Sequence, residues 1–281
     1  MLGIIGGSGL YALESLSDIE EVSVTTPFGD PSDVLIKATY HDKPVVFLSR
    51  HGKGHRLLPH EVNYQANIWA LKSLGVTFVI SVSAVGSLRQ ELEPGHFVCI
   101  SQYVDRVRDY RKKTFFGNGL VAHVSTARPV CDYLTKLCVE SVPQSMVLHQ
   151  NKTYVCVDGP RFGTQAESFI MQKDGCDVVG MTNVPEVFLA KEAQMGYLTL
   201  AIVTDYDAWQ TDPAMHATVE AIMQRFGKSL EQAKNIVGTM IKNFEPTEEA
   251  NGVRQILSQS VLTPKEHWTA EHVTLMEVLS L

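Results

Sequence analysis

The chain has 281 residues, a formal net charge of -7, and 44% hydrophobic against 20% charged residues; that balance disfavours a broad nucleic-acid surface and leaves room only for a local anion pocket. No apolar run reaches the roughly 18 residues that span a bilayer, and Met1 leads directly into a strand without a basic region or cleavage site, so the reading is a cytoplasmic protein with no membrane partner. Five scattered cysteines (Cys99, Cys131, Cys138, Cys156, Cys176) with no CxxC read as buried free thiols in a reducing compartment.

The first predicted element is the apolar strand "LGII", running into Gly6, Gly7, Ser8 and Gly9. The spacing Gly7-x-Gly9-x-x-Ala12 matches a dinucleotide fingerprint, but Glu20 and Glu21 fall too early to hold a ribose and no clear parallel strand follows. "DVLIKATY" and "PVVFLS" alternate around His41-Asp42-Lys43, which predicts a hairpin. Val62, Ala66, Trp69, Ala70 and Leu74 fall on one face of a helix with Pro59 near its start and Gly75 as its stop. "VTFVISV" follows as a buried strand, and residues 103 to 150 are mixed, with "DRVRDYRKKTFFGNG" an exposed basic loop.

The second half repeats this style. Strand "TYVCV" leads through "DGPRFG" into a helix opened by the capping box Thr164-x-x-Glu167 and closed near Gly175. Strand "CDVVGM", a helix from Pro185 to near Gly196 and strand "YLTLAIV" come next, with "TDYDAW" breaking the pattern. From Ala217 to Phe244 the chain reads as helical, interrupted at Gly227 and restarted by Ser229-x-x-Gln232. Residues 263 to 281 carry an amphipathic pattern. The alternation is that of a single α/β domain, largely parallel, with no linker or internal repeat.

In open α/β sheets ligands lie beyond the carboxyl ends of strands. Five exits stand out there: "GGSG", "SRHGKGH", "SAVGS", "GMTN" and "TDYD". Three combine glycine with hydroxyl donors and the second adds Arg50 and His51, parts that suit an oxyanion; singly, each is also an ordinary tight turn. His51-x-x-x-His55 with nearby His60 invites a metal reading, which Gly52 and Gly54 and the lack of a suitably placed glutamate oppose. Asp205 and Asp207 either cap a turn or, with a raised pKa, protonate a leaving group.

"GIIGGSGL", "RHGKGH", "VNYQANIWALK", "SAVGSL", "GPRF", "AESF", "MTNVPEVFLAKEA" and "TDYDAW" together resemble, in order and spacing, the S-methyl-5'-thioadenosine phosphorylases within the trimeric purine nucleoside phosphorylase family. The resemblance covers residues 3 to 264 and implies a single-domain nucleoside phosphorylase fold over 1–264, with a mixed central sheet flanked by helices; residues 265–281 are an extension with no counterpart. It implies phosphorolysis, with no metal and no organic cofactor, inorganic phosphate serving as co-substrate. It also implies a homotrimer with sites at the subunit interfaces.

Carried over by this resemblance, the phosphate ligands are Ser8, Arg50, His51, Ser83, Ala84 through its backbone, and Thr182. Met181 lies against the ribose and Phe162 on the purine face. Asp205 is the catalytic acid that reads N7 and the 6-amino group, and Asp207 lines the same base site. Val219, Ile222 and Met223 form an apolar wall for the 5' substituent, while His123 and Leu262 come from a neighbouring subunit. Asp158 stands where the family has glutamate, Gly163 and Asn183 where it has hydroxyl residues, and His216 precedes the apolar wall. These departures keep adenosine or 5'-deoxyadenosine as further substrates; a purine nucleoside phosphorylase or methylthioinosine phosphorylase acting on 6-oxopurines is the alternative within the class, and an NAD(P)-dependent oxidoreductase is the alternative from another class.

Overall fold

A computed structural model describes residues 1–7, 9–10, 13, 15–108, 110–210, 219–247, 250 and 252–281, with backbone alone for 219 and 221. Ser8, Ala12, His216 and the side chain of Val219 therefore lie outside the described residues. The apolar opening forms β1 (Leu2–Gly6), buried throughout. Beyond it the Leu10 N–H donates to the Gly7 carbonyl at 3.1 Å, and β2 (Leu16–Val22) begins soon after. That leaves no space for the crossover of about a dozen residues that a parallel dinucleotide-binding unit needs.

The predicted hairpin is β3 (Leu35–Tyr40) antiparallel to β4 (Lys43–Ser49), with Tyr40 opposite Lys43. His41 and Asp42 both take positive φ, 45° and 63°, as a two-residue type I′ turn requires. Helix α1 (Tyr64–Ser73) starts later than Pro59, where the Asn63 side chain accepts from the Ala66 N–H. Tyr64 and Ala66 through Lys72 are all buried, so this helix has no polar face and the one-sided reading was too narrow.

β5 (Phe78–Ser87) organises the rest. It pairs in parallel with β1 and with β9 (Gly196–Tyr206), and antiparallel near its end with β8 (Val178–Gly180). β8 continues to β7 (Leu148–Cys156), β7 to β6 (Phe97–Asp105), and β6 back to β9. Strands β5, β8, β7, β6 and β9 thus close on themselves, while β2, β3, β4 and β1 extend the sheet as an open wing. The sheet is mixed rather than largely parallel, because β2–β3, β3–β4, β5–β8 and β6–β9 are antiparallel. Helices α1, α4 (Asn183–Glu192) and α6 (Ala270–Leu279) contribute to one core, and α2 (Asp132–Ser141) and α5 (Val219–Lys242) to the other.

Three expectations are corrected. "TDYD" does not break the pattern: β9 runs through Tyr206, with Asp205 opposite Gly86 after a register shift that leaves Thr204 of β9 as the extra residue. Gly227 does not interrupt α5, which is continuous because its buried stripe (Ala233, Ile236, Val237, Met240) anchors it to the sheet. The stretch after β6 is only in part the exposed basic loop expected: Arg108 and Lys112 are exposed, but Val107, Arg111 and Phe115 are buried. As expected, the capping box at Thr164 and Glu167 opens α3 (Gln165–Lys173), and all five cysteines are free and buried. Among the described residues no helix is long and apolar enough to cross a membrane.

Candidate active site

The exits of β1, β4 and β5 converge, the Arg50 N–H donating to the Gly6 carbonyl at 2.9 Å. Arg50 is buried, its Nε and Nη2 donating to the two Glu186 oxygens at 2.7 and 2.8 Å and its Nη1 to the Val82 carbonyl at 3.1 Å. Nη2 also meets the Ser81 hydroxyl. Burial opposes the charge, but the Glu186 carboxylate more than offsets this and holds the guanidinium above its ordinary range. Of its five N–H groups, an Nη1–H alone has no partner among the described residues. Arg50 is therefore first a fixed part of the pocket wall, with one donor left for an anion.

Behind it, Glu186 also accepts from Ser81 and from the Tyr197 hydroxyl, each at 2.8 Å, and Asn183 Nδ2 donates to Ser81 and Tyr197 at 2.9 Å. Beside Arg50, His51 Nδ1 lies 2.9 Å from the Leu57 carbonyl. A carbonyl only accepts, so Nδ1 carries the proton. Burial, with the Arg50 charge second, pushes this imidazole down to about 4. Gly52 and Gly54 at φ 70° and 78° turn the chain here instead of continuing a helix, and the His51 and His55 rings stack with centroids 4.3 Å apart.

Ser83 inside β5 and Thr182 just past β8 meet with their hydroxyl oxygens 3.3 Å apart, and Ser83 also reaches the carbonyl of Ala84. The Thr182 N–H is held by the Tyr154 hydroxyl at 3.3 Å. Two hydroxyls, one within a strand and one just past another, near Arg50, form a donor set of the kind that receives an oxyanion.

On the other side of β5 lie the two aspartates, both buried. Asp205 Oδ1 accepts from the Thr204 hydroxyl at 2.7 Å, while Asp207 accepts from Ser168 on α3. Burial raises the Asp205 carboxyl to about 7; the neighbouring Asp207 adds to this, and Thr204 and Arg225 oppose it. Burial raises Asp207 as well. Gly86 makes room for the pair, since a Cβ there would lie 3.3 Å from Asp205 Oδ2 and 3.4 Å from Asp207 Cβ. A Cβ on Gly163 would lie 3.7 Å from Asp207 Oδ2, which brings the loop bearing Phe162 to the same place. Phe162 itself is 43% exposed.

Met181 follows β8, and the open Cα of Gly159 lets its sulfur approach to 2.5 Å of where a Cβ would stand. Arg225 of α5 donates to the Thr204 carbonyl at 3.1 Å, so the helix carrying Ile222 and Met223 is tied to the aspartate strand. Met223 is exposed. His123 and Leu262 are brought together elsewhere, on a ribbon in which Leu262 N–H donates to the Val121 carbonyl at 2.8 Å and His123 N–H to the Ser260 carbonyl at 2.9 Å. Both side chains are exposed there.

Sequence reasoning missed Glu186 and Arg111. A lone glutamate inside the apolar "VPEVFLA" was the available signal for the first; Arg111 is masked by the basic residues around it.

Residues 1–242 match the phosphorylase superfamily. The chain is 45% identical over 267 residues to the S-methyl-5'-thioadenosine phosphorylase of Thermosynechococcus vestitus, covering 94% of this chain and 92% of that one. It is 46% identical over 246 residues to the enzyme of that name from Geobacter sulfurreducens, covering 87% and 86%. A methylthioadenosine phosphorylase structure from an antarctic soil metagenomic library superposes with TM-score 0.91 at 40% identity, covering 99% and 98%. The Schistosoma mansoni methylthioadenosine phosphorylase in complex with adenine superposes with TM-score 0.84 at 35% identity, covering 92% and 98%. With hydroxyls, a paired arginine and buried aspartates meeting at its strand exits, and with relatives of this closeness over nearly its whole length, the chain belongs to the phosphorylase superfamily.

Proposed function

We propose that this chain catalyses phosphorolysis of S-methyl-5'-thioadenosine, yielding adenine and 5-methylthio-α-D-ribose 1-phosphate. The observation that carries the reading is Asp205, a buried carboxyl raised to about 7 on the strand that pairs with β5, whose Ser83 hydroxyl meets that of Thr182. Phosphate held by Ser8, Arg50, His51, Ser83, the Ala84 backbone and Thr182 attacks C1' from one face of the ribose. The C1'–N9 bond breaks, its electron pair moves into the purine, and the Asp205 proton passes to N7.

A protonated carboxyl donates to N7 through its O–H and accepts from the 6-amino group through its carbonyl oxygen, which selects adenine over a 6-oxopurine. Asp207 and Phe162 complete the base site, Met181 lies against the ribose, and Val219, Ile222 and Met223 line the 5' end. His123 and Leu262 serve the neighbouring site of a homotrimer, whose setting is cytoplasmic. Phosphate is a co-substrate, and neither a metal nor an organic cofactor takes part.

The test is a steady-state comparison of methylthioadenosine, adenosine, inosine and methylthioinosine, with and without phosphate and with a chelator present. Phosphate-dependent, chelator-insensitive release of adenine from methylthioadenosine is expected. Faster cleavage of the inosine compounds would remove the base-reading role from Asp205.

A further inference from the structure

The loop after β6 places one cation deep inside the molecule. Arg111 is 4% exposed, and its Nη1 donates to the carbonyls of Met181 and Val184, both at 2.8 Å, while Nη2 donates to that of Asp158 at 2.8 Å. The guanidinium carbon lies 5.4 Å from the centre of the Tyr64 ring. None of the ion pairs among the described residues includes it, and its Nε is buried without a partner. A charge in this setting is retained only if what it holds offsets its desolvation.

What it holds is specific. Asp158 and Gly159 follow β7, in the loop that carries Phe162; Met181 and Val184 follow β8 and flank Thr182. Two parallel strand exits, paired up to Cys156 and Gly180 and joined once more by the Val157 N–H to the Gly180 carbonyl at 2.9 Å, are thus pinned to each other beyond the sheet. The contact of Met181 with the open Cα of Gly159 lies across the same junction. A lysine presents a point charge and cannot span three carbonyls on two segments as the planar fork does.

We propose that Arg111 is a positioning residue for the nucleoside, setting the distance between the base-stacking loop and the ribose-facing Met181. This rests on the functional reading above. Displacements of about 1 Å at a reacting centre cost up to roughly a hundredfold in rate, so the clamp acts through geometry and touches no substrate.

The experiment compares wild type with Arg111→Lys and Arg111→Ala, measuring thermal unfolding, methylthioadenosine binding by calorimetry without phosphate, and KM for each substrate. A nucleoside Kd and KM raised on the order of tenfold, a phosphate KM held within about twofold, and partial recovery of Arg111→Ala by millimolar guanidinium are expected. Nucleoside and phosphate KM rising in parallel, or nucleoside affinity unchanged in Arg111→Lys, overturns the positioning role. Wild type failing to bind methylthioadenosine at all overturns the functional reading instead. Where Arg111→Ala does not fold, Arg111→Lys alone decides, because it keeps a cation over Tyr64.

Discussion

Asp205 carries two consequences of one burial. Its carboxyl, at about 7 in the folded chain against about 3.9 when unfolded, binds its proton more tightly in the native state. The stability this contributes is complete below the unfolded value and is lost as pH rises through about 7. Asp205→Asn is therefore expected to raise Tm at pH 8, with the gain shrinking toward pH 4 in parallel melts. The same substitution is expected to lower kcat/KM on adenine nucleosides by about a hundredfold and to spare inosine compounds, because an amide can donate to a 6-oxo group. In wild type, kcat/KM for methylthioadenosine should fall on the alkaline side of about 7. Glu186 gives a different outcome: Glu186→Ala strands the buried Arg50 charge and should cost about 3–5 kcal/mol of stability, read by denaturant unfolding, together with a higher phosphate KM.

At the scale of elements, α5 offers a clean test of helix propensity against function. Gly227 is exposed within it, and a Cβ there would meet nothing within 4 Å. Gly227→Ala should stabilise by about 0.5–1 kcal/mol in thermal or denaturant unfolding, with kinetics unchanged. The parts that were legible in the sequence are those settled by near neighbours: the His41-Asp42 turn, the Thr164 capping box, and the glycine and hydroxyl residues at strand ends. What was illegible depends on distant partners. Arg50 meets Glu186 from the far half of the chain, and Arg111 meets carbonyls that any residue could supply. "TDYD" read as a break because aspartates disfavour strands, yet the pairing of β9 with β5 carries them inward beside Gly86. The Gly227 break failed similarly, since burial of one helical stripe outweighed a local cost.

For the whole molecule, the ribbon bearing His123 and Leu262 is braced by the C-terminal segment: Thr263 Oγ1 accepts from Val121 N–H at 2.8 Å and donates to the Gly119 carbonyl at 3.0 Å, and Trp268 Nε1 donates to the Thr263 carbonyl at 2.9 Å. Leu262 is nonetheless 63% exposed and Val121 45%, an apolar pair suited to burial between subunits. Light scattering should give three times the 31.1 kDa chain mass, and Leu262→Asp should shift it toward one. A monomer in the wild type would overturn the interface role of this ribbon. The electrostatics follow from a pairing inside each chain. Arg50 and Glu186 cancel one another, so under the proposed function phosphate would enter a wall of dipoles in a protein whose overall charge of -7 repels it. Capture then depends on oriented N–H and O–H groups at contact range, which ions in solution screen poorly. Such a site should tolerate wide swings in ionic strength and select its anion by shape and hydrogen-bond geometry more than by charge.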